Sequence, residues 1–157
     1  MISAVLATHN EARRLGETLA ALVPAAVDGL VRQVIIADAG STDATLEIAD
    51  DAGATIVAGD LLAGVRAAKE DWLLVLDPGA RLTPGWDAVA RVHAASGTGP
   101  AVIRVGPRKG LLSLIAPAPV AGLLLRRTEV LAGGTLAELA RAARRPVTLN
   151  IAASLAD

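Results

Sequence analysis

The chain has 157 residues, of which 53% are hydrophobic and 20% charged, with a formal net charge of −1 at pH 7. This composition excludes a disordered polyelectrolyte and predicts a compact domain with a substantial core. The balanced charge, the two Trp residues and the absence of Phe, Tyr and Cys exclude a basic, aromatic nucleic-acid surface, disulfides and zinc–thiolate sites.

Short apolar runs of strand length alternate with helical patterns along the first two thirds of the chain. The predicted strands cover residues 2–7, 31–37, 55–58, 72–76 and 101–105, and the predicted helices cover residues 11–22, 42–52, 61–69 and a segment that opens at Thr83-Pro84. Continuous apolar strands that alternate with helices are typical of a mostly parallel sheet with helices on both faces. We therefore predict an α/β, Rossmann-like fold.

The alternation weakens after residue 105. Residues 106–119 have the composition of a loop, and we predict a strand over 123–126, a helix over 135–143 and a final strand over 147–151. The apolar stretch 111–125 has about 15 residues, fewer than the roughly 20 that a spanning helix needs. The first residues lack the positive charge of a secretory leader, so we expect a cytoplasmic protein.

Polar residues follow three of the predicted strands at their carboxyl ends. The three stretches are Thr8-His9-Asn10-Glu11, Asp38-Ala39-Gly40-Ser41 and Asp77-Pro78-Gly79. Open α/β sheets bind ligands outside the carboxyl ends of their strands. We therefore predict that the first, second and fourth strands are neighbours and that Thr8, Asp38 and Asp77 converge on one crevice.

The stretch from Asp38 to Asp43 has two interpretations. As a strand–turn–helix junction, it uses Gly40 for a tight turn, and Ser41 and Asp43 as helix caps. As a binding loop, it offers free helix N–H groups to an anion and the Asp38 carboxylate to a base or ribose. It is neither a Walker loop nor the Gly-x-Gly-x-x-Gly dinucleotide fingerprint.

Several stretches within residues 2–90 resemble, in the same order, those of family-2 glycosyltransferases, which have the GT-A fold. They cover residues 5–11, 13–15, 34–43, 52–54, 71–77 and 81–86, with weaker similarity at 122–127 and 133–134. The resemblance implies a single GT-A-like domain over residues 1–157. Within it, residues 1–105 form the nucleotide-binding part and residues 106–157 a reduced acceptor part.

The resemblance also implies a binding site for a nucleotide-diphosphate sugar, whose sugar would be transferred to an acceptor that the sequence does not identify. The expected nucleotide-binding residues are Thr8, Asn10, Glu11, Asp38, Gly40, Ser41 and Asp77. Asp38 is expected on the base and Asp77 near the ribose. Arg66 on the third helix is a candidate for the diphosphate, and a solvated helix face is the alternative.

Two motifs depart from the family pattern. The family has Asp-x-Asp after the fourth strand, and the last Asp holds Mg²⁺ or Mn²⁺ on the donor diphosphate. Here the triplet is Asp77-Pro78-Gly79, which leaves Asp77 as the only candidate metal ligand. The acidic pair that supplies the general base is also missing. Glu138 is the one candidate for that base, although the spacing of Thr135 and Glu138 favours a helix capping box.

These departures leave a second function open, a catalytically degenerate binding module or partner subunit with the same fold. Nucleotidyl transfer is a third and weaker hypothesis, because no glycine-rich basic loop follows the first strand. Basic pairs at 108–109 and 126–127 are either solvated surface charge or the flanks of a loop over 108–127 that touches a membrane. The second interpretation would place the protein peripherally at the inner face of the membrane.

The sequence also predicts the effects of two substitutions. If Asp38 binds a base, Asp38→Ala weakens nucleotide binding by about 10- to 150-fold with little change in stability. If the triplet is correctly aligned, Gly79→Asp introduces metal-dependent donor binding. The wild-type chain is expected to show weak or no sugar transfer and no strong dependence on Mn²⁺ for nucleotide binding.

Overall fold

The computed structural model describes residues 1–97, 99–106, 118–130 and 134–156. The strands in these ranges are β1 (Ile2–Thr8), β2 (Val31–Asp38), β3 (Thr55–Ala58), β4 (Trp72–Leu76), β5 (Ala80–Leu82), β6 (Ala101–Arg104), β7 (Val120–Arg126), β8 (Val147–Thr148) and β9 (Ala153–Leu155). The helices are α1 (Ala12–Val27), α2 (Thr45–Asp51), α3 (Leu61–Ala67), α4 (Trp86–Ser96), α5 (Leu136–Ala142) and a 3₁₀ helix (Arg127–Glu129).

Within the described ranges, a seven-stranded sheet has the order β3-β2-β1-β4-β7-β6-β8. The first four of these strands are parallel. Strand β7 runs antiparallel to both of its neighbours, and β8 is parallel to β6. The structure therefore confirms the mostly parallel sheet and the predicted adjacency of the first, second and fourth strands.

Helices cover both faces of this sheet, as predicted. Successive side chains of a strand point to opposite faces. Ala4 and Leu6 of β1 accordingly pack in one buried cluster with residues of α1, α2 and α4. Val5, between them, packs in a second cluster with residues of α3 and α5. The fold is thus a three-layer α/β arrangement whose central strands are buried on both faces.

Several element ends differ from the sequence prediction, each for a local reason. Helix α1 continues past Pro24 to Val27, because Ala25 is fully buried against the core. Helix α4 begins at Trp86 instead of at Thr83-Pro84, since Gly85 adopts a φ of 91° that no helical residue can have. Helix α2 begins three residues later than predicted because the loop before it is held by other contacts, described below.

The C-terminal region differs most from the prediction. The predicted strand over 147–151 is only β8, and a separate strand, β9, pairs antiparallel with β5 in a second small sheet. Neither β5 nor β9 was predicted, because three residues give too short a pattern to detect. Their pairing fixes the chain just after Asp77-Pro78-Gly79, and Ala156 N donates to Gly79 O (2.8 Å).

No helix in the described part of the chain is both long and apolar enough to cross a membrane. Within the segment 108–127, Ala121 and Leu123 to Leu125 are buried in β7. Residues 108–117 lie outside the described residues, and so does Gly133 of the predicted glycine pair. Membrane contact through the remaining residues of the segment 108–127 therefore stays a prediction.

Candidate functional site

The carboxyl ends of β1, β2 and β4 lie at one edge of the sheet. Thr8 is the register partner of Asp38, and Thr8 Oγ1 donates to Asp38 Oδ1 at 2.8 Å. Leu6 pairs with Leu76, so Asp77 leaves β4 beside the end of β1. Thr8, Asp38 and Asp77 therefore lie at the same edge of the sheet, as predicted, although only Asp77 lines the cavity described below.

The Asp38 carboxylate is fully engaged within the protein. It accepts hydrogen bonds from Thr8 Oγ1 and Ser41 Oγ on Oδ1, and from the backbone N–H groups of Gly40 (2.9 Å) and Ser41 (2.7 Å) on Oδ2. The residue is only 6% exposed. Burial raises the pKa of Asp38, but the hydrogen bonds, those from Ser41 foremost, lower it by more, so the pKa lies below its ordinary value. Asp38 therefore holds the shape of its turn, in which Gly40 has a φ of 88°.

Asn10 joins the β1–α1 loop to the β2–α2 loop. Its backbone N–H donates to Ser41 Oγ (2.9 Å), and its Oδ1 accepts from the backbone N–H of Thr42 (2.8 Å). Asn10 has a φ of 58°, in the left-handed region that Asn tolerates better than most residues. Asn10 does not cap α1, because its side chain bonds to the other loop.

The same two loops are tied together at the start of α1. Glu11 N donates to Thr45 Oγ1 (2.8 Å) and Ala12 N to Asp43 Oδ2 (3.1 Å). Asp43 Oδ1 also accepts from Thr45 N (3.0 Å) and from the Thr45 hydroxyl. That hydroxyl is the main cause of a lowered pKa of Asp43. Asp43, one residue before the N-cap position, thus bonds to the first residue of α2, and Ser41, the other predicted cap, does not.

We call these interlocked residues the loop network. Its members are Thr8, Asn10, Asp38, Gly40, Ser41, Thr42, Asp43 and Thr45. Their polar groups bond mainly to one another, so the network shapes the edge of the sheet. His9, Gly40 and Thr42 are exposed on this surface.

A second group of residues, the Arg14 cluster, lies beside the loop network and consists of Glu11, Arg14 and Asp77. Arg14 Nη1 lies 3.0 Å from Glu11 Oε2, and Arg14 Nη2 lies 2.7 Å from Asp77 Oδ1. The Nε of Arg14 donates to the Ala156 carbonyl (3.3 Å). The side chains of the cluster are 21–29% exposed, so these charges face solvent more than Asp38 does.

The guanidinium of Arg14 fills the space above Gly79. A Cβ atom placed on Gly79 would lie 2.7 Å from both Nε and Nη2 of Arg14. Gly79 N also donates to Asp77 Oδ1 (2.9 Å), the oxygen that accepts from Arg14. The missing side chain of the third triplet residue is thus replaced in space by an arginine.

A cavity of about 240 Å³ opens next to this cluster. Its walls come from the ends of β1 and β4 and the starts of α3 and α5, and its lining includes Glu11, Asp77, Leu61 and Thr135. A larger cavity of about 420 Å³ lies at the opposite, amino edge of the sheet and is lined by Arg32, Gln33 and Lys69, among others. None of the predicted site residues lines that larger cavity.

Two of the predicted residues are not brought into this arrangement. Arg66 is exposed in the last turn of α3, which starts at the cavity with Leu61 and ends near the amino edge, where Lys69 N donates to Gln33. Glu138 forms the favoured capping box, in which its Oε2 accepts from Gly134 N (2.9 Å) and Thr135 Oγ1 accepts from Glu138 N.

Sequence reasoning gave no role to Arg14. The spacing of Glu11 and Arg14 does predict an ion pair one helical turn apart. Nothing in the sequence links Arg14 to Asp77, which lies 63 positions further along the chain. The role of Thr45 was likewise not predicted, because nothing in the sequence distinguishes it from an ordinary residue of a helix.

The Mg²⁺ or Mn²⁺ ion implied by the family resemblance does not fit the described residues. These ions prefer several hard oxygen ligands. Asp77 is the single carboxylate of the triplet, and its Oδ1 already accepts from Arg14 and Gly79. Within the described ranges, no group of three or more His, Cys, Asp and Glu side chains is placed to hold a metal.

The fold is similar to those of solved glycosyltransferases. A glucosyl-3-phosphoglycerate synthase from Mycobacterium tuberculosis, in complex with Mn²⁺, uridine diphosphate and glucosyl-3-phosphoglycerate, matches with a TM-score of 0.69 and 20% identity over 100% of this chain and 72% of that one. The complex with Mn²⁺, uridine diphosphate and phosphoglyceric acid matches at 0.65 and 22%, over 83% of this chain and 57% of that one. A mannosyl-3-phosphoglycerate synthase from Rubrobacter xylanophilus matches at 0.64 and 16%, over 81% and 53%.

These structures share the GT-A fold with this chain, which spans little more than half the length of two of them. No curated protein sequence matches the chain significantly. The sequence model described as glycosyl transferase family 2 matches residues 3–91, which is more than half of the chain. Together with the fold, this match confirms the predicted resemblance, and the chain belongs to glycosyl transferase family 2.

Proposed function

We propose that the chain binds a nucleotide-diphosphate sugar at the carboxyl edge of its parallel strands and transfers the sugar to an acceptor. The observation that carries the proposal is the placement of Glu11 and Asp77 on the cavity at the ends of β1 and β4, beside the loop network. In open α/β sheets this edge is where ligands bind. The uridine diphosphate in two of the similar structures supports a nucleotide as the ligand.

In this proposal the loop network is the platform for the nucleoside. Asp38 acts as a positioning residue, because four donors of the protein already occupy its carboxylate. The exposed loop surface at His9, Gly40 and Thr42 is the part that meets the nucleoside. Glu11 and Asp77, which line the cavity, then lie toward the ribose and the diphosphate.

Sugar transfer breaks the bond between the sugar and the diphosphate, and forms a bond to an acceptor oxygen that loses its proton. Developing negative charge on the leaving diphosphate needs a positive partner. A base for the acceptor proton is not assigned among the described residues, since Glu138 is engaged in its capping box. The acceptor side belongs to residues 106–157 in this proposal.

Titration calorimetry with uridine and guanosine diphosphates tests the proposal. Glu11→Gln removes a negative charge from a side chain that lines the cavity, and we expect tighter diphosphate binding than in the wild type, because one of the two carboxylates that repel the anion is neutralised. Glu47→Gln, on the exposed surface of α2, is the matched control and should bind like the wild type. If the wild type binds neither nucleotide, the proposal is overturned.

Donor turnover is measured separately, by mass spectrometry of nucleoside diphosphate released from uridine- and guanosine-diphosphate hexoses. Release above the buffer rate, abolished by narrowing the cavity with Leu136→Trp at its half-buried wall, would support transfer. Binding without any release would instead support the degenerate binding module that the sequence leaves open.

A further inference from the structure

We propose that the guanidinium of Arg14 takes the place of a divalent metal ion at the diphosphate end of this site, so that the donor binds without metal. The inference rests on the proposed function, because it assigns the cation of that same site. It concerns Arg14, whose role no sequence motif indicates.

The position of the guanidinium is the first argument. It bridges Glu11 and Asp77, the two acidic side chains that line the cavity. It also occupies the space that a side chain on Gly79 would enter, at 2.7 Å from the Cβ position. A family member with a carboxylate at this third triplet position would direct it into the same volume. Here that volume holds a permanent positive charge.

The hydrogen-bonding capacity of Arg14 is the second argument. A guanidinium has five N–H groups in a planar fork. Among the described residues, one N–H each goes to Glu11, Asp77 and Ala156, so two N–H groups remain. The side chain is 26% exposed. An exposed guanidinium with spare donors suits phosphate oxygens, which it binds in a bidentate way.

Charge balance is the third argument. Without Arg14, Glu11 and Asp77 would present two uncompensated carboxylates to an anionic diphosphate. Arg14 neutralises part of that charge, which is also what a metal ion would do. The three groups together keep a net charge of −1, so we expect diphosphate binding to be modest in strength. The loss of Arg14 should therefore weaken binding of the diphosphate far more than binding of the nucleoside.

Three other cations in the described part of the chain do not compete for this role. Arg66 lies in the last turn of α3, away from the cavity. Arg81 pairs with Glu17 on the exposed side of α1. Arg13, the neighbour of Arg14, is exposed and makes no hydrogen bond or ion pair within the described ranges. It is therefore a matched control for the loss of one positive charge from α1.

The first test compares uridine with uridine diphosphate, and guanosine with guanosine diphosphate, by calorimetry in EDTA and in excess Mn²⁺. We expect the wild type to bind a diphosphate equally in both conditions. Arg14→Gln should weaken diphosphate binding about tenfold or more and nucleoside binding less than about twofold. Arg14→Lys should retain part of the preference for the diphosphate, and Arg13→Gln all of it. A thermal melt of each variant confirms that it is folded.

The second test asks whether the metal site can be restored. Arg14→Ala combined with Gly79→Asp leaves three carboxylates, those of Glu11, Asp77 and the introduced side chain, around the volume that the guanidinium filled. We expect this double variant to bind Mn²⁺ alone, as measured by electron paramagnetic resonance, and to need Mn²⁺ for diphosphate binding. Gly79→Asp alone should gain little, because the new carboxylate meets Arg14. This outcome differs from the sequence-based expectation for Gly79→Asp.

The outcomes separate the two proposals. If the wild type binds no nucleotide, the proposed function fails and this inference falls with it. If the wild type binds a diphosphate, the inference is overturned by a strong gain in affinity with Mn²⁺, by equal losses in Arg14→Gln and Arg13→Gln, or by equal losses for nucleoside and diphosphate. In each of those cases the proposed function survives.

Discussion

The loop network and the Arg14 cluster lie at the same edge of the sheet but are built differently. In the loop network, the buried Asp38 is held by hydroxyl and backbone donors from two loops. In the Arg14 cluster, long charged side chains pair with one another, and about a quarter of each side chain is exposed. Buried, fully satisfied networks make a scaffold rigid, whereas exposed charges contribute little to stability and remain available to a ligand. We therefore expect the first group to contribute mainly to stability and the second mainly to binding of the diphosphate.

The largest effect on the free energy of unfolding is expected from Asp38→Ala. The substitution leaves four donors without their acceptor in a site that is 6% exposed. We expect a loss of about 3 kcal/mol in the free energy of unfolding, measured by urea denaturation. This replaces the sequence-based expectation of little change in stability, which assumed an open strand end.

Asp50→Ala is the matched control for that experiment. Asp50 is exposed on α2, and its loss should change the free energy of unfolding by less than about 0.5 kcal/mol. Equal stability of the Asp38→Ala variant and the wild type would show that the network does not hold the edge together.

The next largest effect is expected at Asn10. Asn10→Ala removes the hydrogen bond to Thr42 and places Ala at a φ of 58°, so we expect a loss of about 2 kcal/mol. Asn10→Gly removes the same hydrogen bond but fits the backbone, so it should lose only about 1 kcal/mol. Thermal or urea unfolding measures both. If the Gly variant were the less stable of the two, the backbone argument would be wrong.

Acid should weaken the loop network in a defined direction. The pKa of Asp38 is lower in the folded chain than its ordinary value. Its contribution to stability is therefore present above the pKa of the unfolded chain, near pH 4, and is lost as the pH falls through the folded value. We expect the stability difference between the wild type and Asp38→Asn to shrink below about pH 4. A difference that stays constant down to pH 2 would contradict this.

The smallest effect on stability is expected from the Arg14 cluster. Because Arg14 is partly exposed, Arg14→Gln should change the free energy of unfolding by less than about 1 kcal/mol, while nucleotide binding changes strongly. Urea denaturation and calorimetry on the same sample compare the two. A loss of stability as large as that of Asp38→Ala would make Arg14 part of the scaffold and remove the contrast between the two groups.

The carboxyl edge of the sheet could be predicted from the sequence because the patterns that indicate it are local. Apolar runs identify β1, β2 and β4, and the polar residues that follow them mark their carboxyl ends. The turn at Asp38 is local too, since Gly40 and Ser41 donate to an Asp two and three positions earlier, a common turn pattern. The sequence alone therefore predicts where the candidate site lies.

What the residues do there depends on contacts between distant parts of the chain. Thr8 reaches Asp38 across 30 positions and Arg14 reaches Asp77 across 63. Only these tertiary contacts show that Asp38 is saturated and that a guanidinium fills the volume at Gly79. The strands β5 and β9 bring Ala156 to Arg14, and they are too short to be predicted from an alternation of apolar and polar residues.

A crystal structure of the wild-type chain soaked with uridine or guanosine diphosphate in the absence of divalent metal tests the central claim most directly. We expect the nucleoside on the loop network and the diphosphate oxygens within hydrogen-bonding distance of the Arg14 guanidinium. A nucleotide in the cavity at the amino edge, beside Arg32 and Lys69, would contradict the account. So would a diphosphate that leaves Arg14 untouched and orders only when Mn²⁺ binds at Asp77.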